Sequence, residues 1–431
     1  MVASMTQDDA ILALKSGANV FLTGGPGSGK SYVLSRFAAW AKGRGKAVAV
    51  TASTGIAAAH IGGMTVHAWS GLGTRSGLSL ADLDAIGKNR RIADRVSKAD
   101  VLVIDEISML SRFTLDAVNG ICQHLRHSRA PFGGLQTVMV GDFFQLPPVV
   151  GRGESIDPGQ MSQDTDDASP FAYNAHAWRD ADFTVCYLTD QHRQTDATLT
   201  DLLTAIRAGD QLSAYRPTLQ SRVTQPAMAP KAATRLHTHN VDVDRVNAAE
   251  LETLKGEPKS FFMETMGDKG LADGLKRGCL SPERLDLKPG ASVMFTKNDP
   301  DWRYVNGTLG TVTGFEDDSG HPVVRTAHGA VVVARPTEWK VTDADKTKAG
   351  IVQVPLRLAW AITVHKSQGM SLDAAVIDLS RAFEYGQGYV ALSRVRTLDG
   401  LHLLGWNERA LRVDPRVLAK DYEFRAASGR M

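Results

Sequence analysis

Lys30 and Ser31 close the run Gly24-Gly25-Pro26-Gly27-Ser28-Gly29-Lys30-Ser31, which fits the pattern G-x-x-x-x-G-K-[ST]. Residues of these types at this spacing handle phosphate. The glycines let the backbone turn tightly and aim N–H groups inward, the ammonium reaches the β- and γ-phosphates, and the hydroxyl holds a cation. ATP is the expected ligand, with Mg²⁺ as cofactor. Asp105 and Glu106 form a second pair, in which Asp105 would bind Mg²⁺ and Glu106 would orient and deprotonate the attacking water. Gln145 carries a neutral amide that can bond a third phosphate and let go after hydrolysis. Arg394, delivered from a second domain, would stabilise charge that develops during phosphoryl transfer, an effect on the order of 10³–10⁵ in rate elsewhere.

These groups need a rigid frame, and apolar runs provide one. Asn19 to Thr23 reads as a strand directly before the glycine loop, and Ser31 to Lys42 as a helix with Val33, Leu34 and Phe37 on one face. Further buried strands are expected at Ala47 to Thr51, Val101 to Ile104, Thr137 to Val140 and Phe183 to Leu188. In a parallel α/β sheet ligands meet the carboxyl ends of strands, so Asp105 and Glu106 would face the same nucleotide as Lys30. A second α/β pattern begins after Leu188, with a helix from Asp196 to Ala208, a strand from Thr234 to Thr238 and a helix from Asp242 to Leu254. It returns over residues 355–373 and the strand Ala374 to Asp378. Short strands between about 257 and 350 read as a small β-barrel. The expected division is 1–189 with an insertion at about 71–99, then 190–256 with 351–431, and the barrel at 257–350.

Residues 51–69, TASTGIAAAHIGGMTVHAW, combine small residues with Thr54, His67 and Trp69. Two readings stand side by side: a tightly packed helix-loop around a core Trp, or a surface for the phosphate backbone and stacked bases of a single strand. The insertion carries five positive residues against Asp94 between Lys88 and Lys98, either a solvated helix face or a phosphate contact. His365, Lys366, Ser367 and Gln368 form a polar cluster that could touch both ATP and a nucleic-acid backbone. Lys297, Asn298, Arg303, Tyr304 and Asn306 could meet nucleic acid or simply make a polar loop. His237 and His239 have no third ligand nearby, so an ordinary strand is expected there rather than a metal site.

The 431 residues are 43% hydrophobic and 22% charged, enough for large cores. No apolar run approaches the ~18 residues of a membrane span, and the N-terminus has neither a basic flank nor an apolar core. Cys122, Cys186 and Cys279 lack paired spacing for zinc or a disulfide framework, which fits a reducing, intracellular setting. A net charge of +2 is too mild to argue for a nucleic-acid partner by itself.

The ordered blocks GGPGSGKS, TASTGIAAAHIGG, VLVIDEISML, the run at 131–149, LTDQHRQ, TKN with NGTLGTV, LAWAITVHKSQGMSLD and YVALSRVRT resemble superfamily 1 helicases of the 5′-to-3′ branch, most closely the Pif (petite integration frequency) family of DNA helicases. The resemblance implies an α/β fold of two RecA-like P-loop domains, with a wedge insertion in the first and a Src-homology-type barrel in the second. It implies Gln7 as an adenine reader, Arg193 and Arg394 as arginine fingers, and Gln145 as the γ-phosphate sensor. Thr54, His67 and His365 fall in blocks that touch single-stranded DNA in that family, with Trp69, Asn298 and Lys366 beside them. The implied activity is an ATP-dependent helicase moving 5′ to 3′ on single-stranded DNA and unwinding forked or tailed duplex. Monomeric action on DNA, no membrane partner and a cytoplasmic setting (bacterial nucleoid or phage-infected cell) are expected. A translocase that strips proteins from DNA and an ATP-gated DNA-binding subunit of a recombination complex are the alternatives. Two departures stand out: residues 151–169 are longer than a compact core needs, and residues 70–112 hold no Phe, Tyr or Trp to serve as a strand-splitting pin.

Overall fold

The computed structural model describes residues 5–428 except 74, 76–77, 150–168, 191–195, 211, 231–232, 300, 302, 305, 328 and 344–345. The acidic stretch and Arg193 lie outside the described residues. The chain packs as two compact units, residues 1–229 with 368–431, and residues 230–367.

In the first unit the apolar runs form a parallel sheet. Its strands are β1 (Val20–Gly24), β2 (Val48–Ala52), β3 (Met64–Thr65), β4 (Val101–Asp105), β5 (Gln136–Val140) and β6 (Thr184–Leu188), ordered β3-β2-β4-β5-β1-β6. Every residue of β1 and the first four of β4 are buried, so both strands are continuous rather than alternating apolar runs. Because β5 lies between β4 and β1, the ends of all three strands bring Asp105, the Gly141–Gln145 turn and Gly24 to one edge of the sheet.

Helices α1 (Gln7–Lys15) and α2 (Lys30–Gly43) cover one face. A capping box between Thr6 and Asp9 starts α1. Leu14, Phe37, Val20, Val103 and Val138 pack there without solvent exposure. Burying Phe37 contributes ~1.5–3 kcal/mol, and Phe37→Ala would cost ~3–5 kcal/mol with the cavity it leaves. An aromatic cluster also packs on the sheet, where Phe21 meets Trp178 and Phe424 at centroid distances of 4.9 Å. Phe424 comes from the C-terminal helix Pro415–Ser428. The basic segment after residue 71 is two helices, Leu80–Lys88 and Arg90–Lys98, capped by Ser79 and Asn89. Also in this unit, strands Ala375–Leu379 and Leu401–Trp406 pair in parallel.

In the second unit Thr234–His237 pairs in parallel with Ala361–Thr363. Asn247, from helix Asn240–Thr253, clamps that edge: its Nδ2 donates to Ala361 O at 3.0 Å and its Oδ1 accepts from Ala361 N at 2.9 Å. An antiparallel sheet joins Val331–Val333, Pro322–Thr326, Leu309–Phe315, Ser292–Phe295 and Leu356–Leu358 around Val293, Phe295, Val312 and Val324. Lys259–Phe262 and Glu264–Gly267 are strands that the sequence did not announce, because their residues are mostly exposed and carry no apolar alternation.

Candidate active site

The glycine loop leaves β1 through Gly24 at φ 147°, where a Cβ would stand 2.4 Å from Leu188 O. Only glycine fits that turn. Gly29, at φ 88°, opens α2 with no side-chain cap, which leaves the amide groups of the first helical turn for a ligand. Lys30 Nζ donates to Gly24 O at 2.8 Å and Gly25 O at 2.9 Å, so the loop carbonyls hold the ammonium in place. Burial pushes the Lys30 pKa down; Asp142, Glu106 and Asp105 oppose that shift and Arg207 adds to it. Gln7 Nε2 donates to Ser28 O at 3.3 Å, tying α1 to the loop.

A cavity of about 430 Å³ opens here, lined among others by Gly27, Lys30, Ser31, Asp105, Glu106, Gln145, Gly369 and Arg394. Five separate stretches of sequence, 27–31, 105–106, 145, 369 and 394, meet at this cavity. Glu106 stands in the left-handed region at φ 51°, a conformation that costs a non-glycine residue ~1–2 kcal/mol. Three bonds hold it: Glu106 N donates to Asp105 Oδ1 at 2.8 Å, Ser53 Oγ donates to Glu106 O at 2.8 Å, and Gln368 Nε2 donates to Glu106 Oε2 at 3.0 Å. Burial, then the neighbouring Glu106, raises Asp105 to about 7 against the pull of the Glu106 amide and Lys30. A hard cation beside these carboxylates would relieve that repulsion, and Ser31 and Asp105 are the oxygen donors available to it. Ser28 Oγ and Gln145 Oε1 are buried without a hydrogen-bond partner among the described residues, the mark of a surface shaped for a polar ligand. The donor set fits a Mg²⁺–nucleoside triphosphate.

Arg394 is 1% exposed. Its Nε donates to Val390 O at 2.8 Å, one terminal nitrogen to Met370 O at 3.1 Å and the other to Ser393 Oγ at 2.7 Å. Sequence reasoning missed a second buried arginine. Arg207 donates to Asp142 Oδ2 at 2.8 Å, to Tyr389 Oη at 3.0 Å and to Tyr187 Oη at 2.8 Å, and Tyr187 in turn donates to Asp421 at 2.8 Å. No motif spacing marks these residues. The one available signal was the charged Asp142 directly after the strand and glycine at 137–141.

The residues expected at nucleic acid are dispersed. Thr54 Oγ1 caps the helix Gly55–His60 by accepting from Ala57 N at 3.2 Å. His67, half-buried in the helix Val66–Ser70, has its pKa lowered by burial. Trp69 is 3% exposed, so its indole is core and offers no face for stacking; the helix-loop reading holds for that residue. Its carbonyl accepts from Arg95 Nε at 2.7 Å, which uses one of the basic residues structurally. In the second unit His365 and Lys366 sit half-buried on the turn Val364–Ser367. Asn298 Oδ1 accepts from Asn306 N at 2.8 Å. Arg303 forks onto Asp299 at 2.7 and 2.9 Å and Tyr304 stacks on Phe295 at 3.8 Å, so those two side chains are engaged within the segment. Among the described residues, no group of three metal-ligating side chains forms, and no helix is long and apolar enough to cross a membrane.

Residues 6–210 match the family model of PIF1-like helicases. An ATP-dependent DNA helicase Pif1 of Psychrobacter sp. is 41% identical over 98% of this chain and 71% of its own length. The crystal structure of Pif1 helicase from Candida albicans superposes with a TM-score of 0.87 at 31% identity, covering 98% of this chain and 99% of that one. A Bacteroides Pif1 helicase in complex with ADP-AlF3 and single-stranded DNA superposes with a TM-score of 0.78 at 30% identity, covering 100% and 98%. With the glycine loop, the paired carboxylates and the buried arginine gathered round one cavity, the chain belongs to the Pif1 family of ATP-dependent DNA helicases.

Proposed function

We propose that this chain hydrolyses ATP in the cavity around Lys30 and uses the cycle to move 5′ to 3′ along single-stranded DNA and unwind duplex ahead of it. The observation that carries the chemistry is the convergence of Lys30, Asp105, Glu106, Gln145 and Arg394 on one 430 Å³ cavity. The DNA reading is supported by the family and by the single-stranded DNA held by the Bacteroides relative.

In this reading Gln7 reads the adenine edge, and the loop from Gly24 through Gly25, Pro26, Gly27, Ser28 and Gly29 cradles the phosphates. Lys30 bonds the β- and γ-phosphates, while Ser31 and Asp105 hold Mg²⁺, which supplies charge neutralisation on the phosphate oxygens. Glu106 takes a proton from the attacking water. Gln145 senses the γ-phosphate, and Arg193 and Arg394 are the arginine fingers. Thr54, His67, His365, Lys366 and Asn298 serve the DNA strand. The division into two RecA-like domains, 1–189 and 190–256 with 351–431, belongs to this proposal. So do the wedge at about 71–99 and a Src-homology-type barrel at 257–350, the latter supported by the antiparallel sheet described above. ATP supplies the differential contacts that a two-state grip needs.

The absence of Phe, Tyr or Trp from residues 70–112 favours a second reading, a translocase that displaces bound proteins better than it unwinds. The test is steady-state ATP hydrolysis with and without a short single-stranded DNA, followed by fork unwinding and streptavidin displacement from either end. Strong stimulation with displacement from one end only supports the motor; hydrolysis indifferent to DNA overturns it.

A further inference from the structure

Hydrolysis of a phosphoanhydride is favoured by a water whose two protons are both held, because its lone pair is then aimed. One proton passes to the base; a second acceptor that fixes the other keeps the lone pair aimed at phosphorus. Glu106 supplies one acceptor. A candidate for the second is Gln368, a residue 4% exposed and a member of the polar cluster at 365–368.

The carboxylate of Glu106 can only accept, so the Gln368 amide turns its nitrogen toward it and donates at 3.0 Å to Oε2. That orientation decides where the amide oxygen goes. Gln368 Oε1 is buried and has no hydrogen-bond partner among the described residues. It lies about 2.2 Å from its own Nε2 by amide geometry, hence next to the carboxylate. A buried carbonyl left unsatisfied is destabilising, and a bridging water removes that cost. Glu106, which accepts from this amide, and Gly369, the next residue, both line the cavity, so the amide is one hydrogen bond removed from a group of the cavity wall.

We propose that Gln368 holds the attacking water, its Oε1 accepting one proton while Glu106 accepts the other. As the water oxygen bonds to the γ-phosphorus, the bond from that phosphorus to the bridging oxygen of ADP breaks; the leaving electron pair stays on ADP and the transferred proton on Glu106. The inference rests on Glu106 as the base of the proposed ATPase. It adds a second function to the cluster at 365–368, where Lys366 stands two residues before Gln368.

The test uses the full chain with Gln368→Met, which keeps the buried volume, and Gln368→Ala beside it. Both are expected to lower kcat about 10–100-fold with and without single-stranded DNA, with the KM for ATP changed by less than about twofold. Affinity for ADP–aluminium fluoride, whose planar complex reproduces the attack geometry, should fall by a similar factor, while ADP–beryllium fluoride, a ground-state mimic, binds as before. Unchanged kcat in a folded Gln368→Met protein overturns the proposal, as does equal loss of both complexes. Glu106→Gln separates the two levels. If that variant still hydrolyses ATP, the base assignment falls; if it is inactive while Gln368→Met is not, only the role of Gln368 falls.

Discussion

Arg207 and Asp142 form a buried ion pair at 2.8 Å, and the same carboxylate oxygen accepts from Tyr389 at 3.1 Å. Asp142 also shapes the turn that carries Gln145: its Oδ1 accepts from Phe144 N at 3.2 Å and its carbonyl from Gln145 N at 3.0 Å. Tyr389 lies in the helix Gln387–Leu392, which leads into Arg394. One guanidinium thus ties the residue proposed to sense the γ-phosphate to the helix before the proposed arginine finger. Both charges are out of water, and the pair is held by tyrosine hydroxyls whose own ionisation is pushed up, for Tyr389 chiefly by burial and Asp142.

Removing one partner strands the other. Arg207→Ala leaves Asp142 fully buried without its counter-charge and is expected to destabilise the fold by ~3–5 kcal/mol, read as a fall in the urea midpoint. Tyr389→Phe removes one hydrogen bond, costing ~0.5–1.5 kcal/mol. A double-mutant cycle of Tyr389→Phe with Gln145→Ala on kcat checks the link: strict additivity means the network is stability alone.

Gly386 permits the close approach behind Gln145. It sits at φ 80°, and a Cβ there would meet Gln145 O at 2.6 Å and Phe144 O at 2.7 Å. Gly386→Ala combines a left-handed non-glycine with a backbone clash, for about 2–4 kcal/mol. Because the clash pushes directly on the Gln145 peptide, ATPase kcat should fall in the protein that remains folded at low temperature. Full kcat in that protein would show that the turn yields elsewhere.

Lys30→Ala is expected to lower ATP hydrolysis by at least ~10²–10³ while circular dichroism stays unchanged. The structural part follows from its bonds: among the described residues Nζ donates to the carbonyls of Gly24 and Gly25, and it is not among the side chains of the packed core around Phe37. A loss of helix signal would mean that the ammonium is a folding element.

What was legible in the sequence was local. Gly24 to Ser31 lies between a strand and a helix, and Asp105-Glu106 ends a strand of four apolar residues, so chain order and position coincide. Arg207 was not legible as part of the site, and Gln368 was legible only as one of a polar cluster that could touch ATP, because each acts through a partner far along the chain: Gln368 through Glu106, 262 residues away, and Arg207 through Tyr389, 182 away. Trp69 shows the converse. Its neighbours suit a stacking surface as well as a core, and only burial separates the two.

Lys366 gives a pH test of the proposed DNA strand. Burial, then the guanidinium of Arg357, pushes its pKa down to about 8, with Asp244 pulling the other way. A DNA phosphate at this ammonium would raise the pKa in the complex, so affinity for single-stranded DNA should be constant below about pH 8 and fall above it. Lys366→Met should abolish that fall and reduce the salt slope of binding by about 1. Folding runs the opposite way. The unfolded chain keeps its lysine near 10.5, so between about 8 and 10.5 it binds the proton that the folded state has lost, and this group adds stability as pH rises. Falling DNA affinity alongside a steady or rising melting temperature, measured by anisotropy and thermal denaturation in the same buffers, therefore assigns the effect to the ammonium. Affinity that is flat across this window would remove Lys366 from the DNA contact.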